Sequence, residues 1–271
     1  MASIVISRGC YQRGSEVAQL VAKELGYECI SREVLLEASK LFDIPELKLT
    51  HAIEDAPSLL ERLGRDRQKY IAYIRTVLLR EVQKGNVVYH GFAGHFFLQG
   101  IPGVLKVRIY ADLEERVKEE MEREGVSADK ARQTVVKDDE ERRKWALSLY
   151  GMDTADPALY DMFLRIGALT VRDAAWIIAE AARLPSFQMT PESKRQLNDR
   201  VLASQVESML MEEFPRVEVT ARDNEAFIRI HTGLSIHTLL TEKQGLIQKA
   251  EAIAISLGGA EKAHVTFEHP I

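Results

Sequence analysis

Residues 4–26, IVISRGCYQRGSEVAQLVAKELG, constrain the fold more than any other stretch of this chain: an apolar strand runs through a short loop bounded by Gly9 and Gly14 into an amphipathic helix. Val17, Leu20, Val21 and Leu25 recur at the helical period, and Gly26 follows as a C′ residue. A strand that feeds a helix and then another strand rejoins its sheet through a crossover, which favours parallel pairing.

The alternation continues. Glu33 opens a second amphipathic helix, and residues 65–84 give a long one with Ile71, Ile74, Val77 and Leu78 as its stripe. NVVYHG (86–91) and LKVRIYA (105–111) are β-branched and aromatic enough to be strands. Two charged helices follow, one ending at Gly125 and one capped by Ser127. Then come a strand in DMFLRIGA and a helix whose Thr170 and Asp173 have capping-box spacing. The first part of the chain therefore reads as α/β, a mostly parallel sheet covered by helices.

The rhythm changes after residue 185. Residues 186–196, polar and with a proline, read as a linker. Beyond it come a helix from about Asn198, two alternating stretches joined at Asp223-Asn224, a helix over 241–257 ended by Gly258-Gly259, and a strand in HVTFE. That αββαβ order predicts a small α+β domain over residues 197–271, behind an α/β domain over residues 1–185.

The chain has 271 residues, 46% hydrophobic and 28% charged, and no apolar run long enough to span a bilayer. SIVIS at the start has no basic n-region or cleavage site, and two cysteines make no disulfide framework, so a cytoplasmic protein with free thiols is expected. A net charge of −5 gives no broad basic surface for DNA or RNA, although a local basic pocket remains open.

Gly9 and Gly14 have the spacing of the phosphate-binding pattern G-x-x-x-x-G-K-[ST], but Ser15 stands at the lysine and Glu16 at the hydroxyl residue. Open amides at a helix start can hold phosphate without that lysine, and Arg8 and Arg13 can add charge. The alternative is a plain βα turn. Arg142, Arg143 and Lys144 cluster in the charged helical hairpin, either as a lid over donor phosphates or as a solvated face. His90, Gly91 and His95 follow a strand end, where ligands bind in open α/β sheets, and the two histidines contact a phosphate or nucleobase or are hydrogen-bonded at the core edge. Asp153, Asp156 and Asp161 are open between lid or metal contacts and turn capping.

Several segments, in order, carry a resemblance. IVISRGCYQRGSEVA is similar to I-T-I-S-R-x-x-G-S-G-G-x-E-I-A, matching at Ile4, Ile6, Ser7, Arg8, Gly14, Glu16 and Ala18. GYECISREVL resembles G-x-x-x-x-D-[RK]-E-[IL], and VVYHGFAGHFFLQGIPGVLKVRIYADLEERV resembles V-I-x-G-R-G-A-x-x-x-L…V-L-x-V-R-[IL]-x-A-x-x-x-x-R-V. These are patterns of the cytidylate kinase-like branch of the P-loop nucleoside monophosphate kinases. The resemblance implies a P-loop NTPase-type core over residues 1–185, ATP or another NTP as donor, Mg2+, and a nucleoside monophosphate acceptor, CMP or dCMP by analogy.

Carried onto this chain, Ser7, Arg8, Gly9, Arg13, Gly14, Ser15 and Glu16 meet the donor phosphates. Arg13, Arg142 and Arg143 assist transfer, Arg32 with His90, Gly91 and His95 meets the acceptor, and Ser7, Glu16 and Asp139 hold the metal ion. The chain departs from the pattern at Ser15, at the bulky residues from Cys10 to Arg13, and in HGFAG, which lacks the arginine of G-R-G-A. Residues 197–271 resemble a BON domain, a small bacterial module, which implies binding to a protein or phospholipid surface. Two functions follow: a cytidylate kinase-like enzyme, or a catalytically weak relative that senses a nucleotide or phosphate and signals through its second domain.

Overall fold

The computed structural model of the chain describes residues 2–8, 11–54, 60–91, 93–232 and 236–268. It divides into two compact units, residues 1–63 with 84–190 and residues 64–83 with 191–271.

The first unit alternates strand and helix as the pattern predicts. In chain order it holds β1 (Ser3–Arg8), α1 (Tyr11–Leu25), β2 (Glu28–Ile30), α2 (Glu33–Phe42) and α3 (Glu46–Glu54). After α4 (Leu60–Lys84), most of which belongs to the second unit, come β3 (Val87–His90), α5 (Gly94–Phe97), β4 (Val104–Ala111), α6 (Leu113–Glu124), α7 (Ala128–Tyr150), β5 (Met162–Ile166) and α8 (Val171–Arg183). The five strands pair in the order β2-β3-β1-β4-β5, all parallel. β1 is central, with β3 and β4 on either side.

Strand alternation sends Ile4, Ile6, Val107 and Ile109 to one face, where they pack with Val17 and Val21 of α1 and Ala174 and Ile178 of α8. The other face carries an aromatic layer. The Phe96 and Tyr150 rings stack at 4.6 Å, and the Trp145 indole donates to the Ala52 carbonyl at 3.2 Å. Local signals hold: Ser127 accepts from the Lys130 amide, Thr170 and Asp173 form a capping box, and Gly26, Gly125 and Gly151 take positive φ beyond their helices.

Two details depart from the sequence reading. α1 begins at Tyr11, so Gly14 lies inside the helix and not at the end of a loop. Residues 191–196, assigned to a linker, form the start of a helix, because a proline fits the first helical turn, where its missing N–H costs nothing.

The second unit consists of α4 from residue 64 with α9 (Pro191–Leu210), β6 (Val217–Arg222), β7 (Glu225–His231), α10 (Ile236–Ser256) and β8 (Lys262–Glu268). β6 and β7 form an antiparallel hairpin whose turn residues, Asp223 and Asn224, have φ of 51° and 66°. β8 joins β7 in parallel, completing a three-stranded sheet on a core of Val206, Leu210, Val217, Ile228, Ile230 and Ala254. α4 joins α9 through polar contacts: Thr76 shares hydrogen bonds of 2.7 Å with both Ser204 and Ser208 in a buried cluster, and Arg75 bonds Glu207. Among the described residues no helix is long and apolar enough to cross a membrane.

Candidate functional site

In a sheet of this order the strands next to β1 are reached by connections leaving in opposite directions, which opens a crevice at the carboxyl ends of the strands. Ser7 sits there, in register with Arg108 of β4, while Ile6 is paired with His90 of β3. Ser7 Oγ accepts from Arg108 Nη1 at 3.4 Å and lies 3.2 Å from the Tyr160 hydroxyl. Arg108 Nη1 also donates to Tyr160 Oη at 3.1 Å, and that hydroxyl reaches the Thr154 carbonyl at 2.9 Å. His95, on α5, stacks on the Tyr160 ring at 5.0 Å. Burial, with the Arg108 charge adding to it, lowers the His95 pKa from 6.5 to about 3, so the ring is neutral at pH 7.

The structure thus brings Ser7, His90, Gly91 and His95 to one edge, with the Gly91 amide donating to the Ile6 carbonyl at 3.4 Å. Both histidines are buried, and the neutral His95 supplies no positive charge to a phosphate. Gly91 and Gly94 fit closely: a Cβ on Gly91 would stand 2.5 Å from Tyr89 Oη, and one on Gly94 2.6 Å from the Tyr89 ring.

The residues expected at the donor divide. Gly9 and Cys10 lie outside the described residues, as does the side chain of Arg8. With α1 starting at Tyr11, its open amides are those of its first turn, and from Ser15 onward each N–H has an intrahelical acceptor four residues back. Arg13 is ion-paired with Glu115 and Glu119 of α6. Burial opposes the Arg13 charge, but the hydrogen bond to Glu115 and the field of the two glutamates outweigh it and raise its pKa. At Glu119 the balance is reversed, and burial raises the carboxyl despite Arg13.

Arg32 pairs with Glu46 at 2.5 Å in an exposed position before α2. Arg142 and Arg143 lie on α7, and Arg143 bonds Asp153 at 2.6 Å. That bond and the Ala155 amide, the larger influence, hold the Asp153 pKa below its ordinary value. Asp156 caps a short turn through the Ala158 amide, and Asp161 pairs with Lys106.

Mg2+ in such chemistry takes one or two carboxylates along with substrate phosphates. Asp139 is clamped by both terminal nitrogens of Arg116, at 2.7 and 2.8 Å, and Ser7 Oγ accepts from Arg108. Arg116 already engages Asp139 and Arg108 already engages Ser7, so a metal ion held by Ser7, Glu16 and Asp139 has to share Ser7 and draw Asp139 from its ion pair. Among the described residues no three His, Cys, Asp or Glu gather into a metal site.

Sequence reading missed Arg108 and Tyr160. The signal was present in LKVRIYA, where Lys106 and Arg108 alternate with apolar residues and so share one face of a largely buried strand. Glu115 and Glu119 were passed over as part of a charge run.

A sequence model described as the cytidylate kinase-like family matches residues 3–168. A cytidylate kinase of Sulfolobus acidocaldarius is 24% identical over 176 residues, 65% of this chain and 91% of that protein. One of Ignicoccus hospitalis is 27% identical over 163 residues, 60% of this chain and 88% of that protein. Among solved structures, an uncharacterized protein from Eubacterium ventriosum has a similar fold, with a TM-score of 0.53 at 21% identity over 67% of this chain and 97% of that one. The match takes in β1, the strands beside it and the Ser7, His95, Arg108 and Tyr160 edge, and the chain belongs to the cytidylate kinase-like family.

Proposed function

We propose that this chain is a nucleoside monophosphate kinase that moves the γ-phosphoryl group of ATP to a nucleoside monophosphate, CMP or dCMP by likeness to the two cytidylate kinases. The observation that carries the reading is the central strand β1 running toward α1 at the crevice of a parallel sheet, inside the span matched by the family. Phosphoryl transfer asks a protein chiefly for positioning and charge neutralisation. An acceptor phosphate oxygen attacks the γ-phosphorus, the bond to the β-phosphate oxygen breaks, and ADP leaves.

In this reading the first-turn amides of α1 receive the donor, with Arg8, Gly9, Gly14, Ser15 and Glu16 around them. Arg142 and Arg143 close over it from α7, and Arg32, His90, Gly91 and His95 serve the acceptor. The setting is the cytoplasm. An ADP-release assay with ATP, Mg2+ and a panel of nucleoside monophosphates, run beside calorimetry for ATP, tests it. Turnover with one acceptor is expected, and ATP binding without turnover for any acceptor overturns it.

A second reading, a catalytically weak nucleotide or phosphate sensor, is favoured by one observation: Arg13 and Arg143, both expected at the donor, are paired with carboxylates. In that case the second unit, whose α9-β6-β7-α10-β8 order supports the BON-like reading, carries the signal to a protein or phospholipid surface.

A further inference from the structure

Strand β4 divides its side chains between two faces. Leu105, Val107 and Ile109 enter the core with α1 and α8, so Lys106, Arg108 and Tyr110 project from the opposite face. The two basic residues there are treated differently. Lys106 pairs with Asp161 at 3.1 Å. Arg108 is half-buried, and its bonds go from one nitrogen, Nη1, to two neutral hydroxyls, those of Ser7 and Tyr160. Its guanidinium carbon lies 5.7 Å from the centre of the Tyr160 ring.

A guanidinium has five N–H donors in a planar fork, and these contacts use the two on Nη1. Among the described residues no carboxylate pairs with Arg108. Its field reaches Asp153, but that group is bonded to Arg143 and to the Ala155 amide. A half-buried cation with open donors is stabilised by an anion. A second observation points to the same place. His95 is 3% exposed and stacks on Tyr160, and among the described residues neither of its ring nitrogens has a hydrogen-bond partner. Two polar groups with unmet bonding capacity therefore meet at one tyrosine ring, at the ligand edge of the sheet.

We propose that Arg108, Tyr160 and Ser7 form a subsite for a phosphate monoester, the acceptor's phosphate, with the His95 ring on its wall. The face decides between acceptor and donor. The donor's phosphates belong to the N-terminus of α1, and Arg108 projects from the face opposite α1. The subsite rests on the proposed kinase activity only for the name of the acceptor, since the binding of phosphate is a property of the arrangement itself.

Calorimetry on the full chain tests it, with orthophosphate, CMP and ATP as probes and wild type, Arg108→Gln and Tyr160→Phe as proteins. Arg108→Gln is expected to weaken orthophosphate and CMP by about tenfold or more and to change ATP by less than about twofold. Tyr160→Phe is expected to weaken the same two probes by a smaller factor. Unchanged orthophosphate and CMP affinities overturn the subsite, as does a wild type that binds neither. A loss for ATP as large as that for CMP overturns the acceptor assignment.

If Arg108→Gln melts below wild type, Arg108→Lys decides: it keeps the charge without the fork, and a partial loss of CMP affinity is expected, whereas none overturns the subsite. The two proposals fail separately. CMP binding through Arg108 without ADP release sinks the kinase reading and leaves the subsite. Undiminished turnover of Arg108→Gln at limiting CMP sinks the subsite and leaves the kinase.

Discussion

Arg13 of α1 is ion-paired with Glu119 of α6, and the same guanidinium also bonds Glu115 one turn earlier. The one arginine of α1's first turn is thus neutralised by a neighbouring helix before any ligand arrives. A triphosphate that uses Arg13 must displace two carboxylates and repel them as it does so. Glu115→Gln with Glu119→Gln is therefore expected to tighten ATP binding several-fold, read by calorimetry. The melting temperature should move little, since partly exposed pairs of this kind contribute about 1 kcal/mol or less. Unchanged or weaker ATP binding would show that Arg13 has a purely structural place.

His95 ties stability to pH. Its folded pKa, about 3, lies below the ordinary 6.5, with burial the main cause and Arg108 the second. Between those values the unfolded chain binds a proton that the folded chain excludes, so the contribution is present above about pH 6.5 and is lost as pH falls toward 3. From pH 7 to pH 5 this one group is expected to remove about 2 kcal/mol of unfolding free energy. Urea melts of wild type and His95→Phe check it, because the variant keeps an aromatic ring against Tyr160 and should show a shallower pH dependence. Parallel pH profiles would disprove the assignment.

What could be read in advance was the local chemistry. The Ser127 cap, the Thr170–Asp173 box and the Asp223-Asn224 turn depend on residues within a few positions of each other, and each formed as its residues dictate. The strand and helix alternation of the first unit and the αββαβ order of the second were legible for the same reason. The site was less legible because its contacts are remote. Arg13 finds Glu115 at a separation of 102 residues and Arg108 finds Ser7 at 101, distances at which a charge run looks like a solvated face. The stripe on α4 showed that one side is covered, but a periodicity does not name the partner, and α4 went to the second unit. At Pro191 a residue that breaks helix interiors was read as a breaker where it opens a helix.

Ala93 has φ of 59°, a left-handed conformation that costs a residue with a Cβ about 1 kcal/mol, and it aligns with the second glycine of the G-R-G-A pattern. Ala93→Gly is therefore expected to raise stability by up to about 1 kcal/mol, less the added freedom of the unfolded chain. The neighbouring Gly94→Ala should act in the other direction. Its Cβ would lie 2.6 Å from one Tyr89 ring carbon and 3.0 Å from Val5 Cγ1, and Tyr89 is buried and cannot swing away. A loss of about 1–3 kcal/mol is expected. Chemical denaturation of both variants measures the pair, and equal signs for the two changes would refute the account.

Thr76 tests where the chain divides. Its hydroxyl bonds Ser204 and Ser208 inside a buried cluster, so α4 has polar commitments to α9 that a solvated helix would lack. Thr76→Val keeps the shape and leaves two buried serine hydroxyls each short of a partner, at an expected cost of about 1–3 kcal/mol. Thr76→Ser should recover most of it. The same commitments bear on truncation. A fragment ending at residue 185 retains α4 but removes Ser204, Glu207, Ser208 and Glu212, the partners of Thr76, Arg75 and Tyr73. Such a fragment is expected to melt with lower cooperativity than the full chain and to aggregate through the uncovered helix, checked by calorimetric scanning and light scattering. A fragment that melts as sharply as the whole protein would show that α4 does not depend on α9.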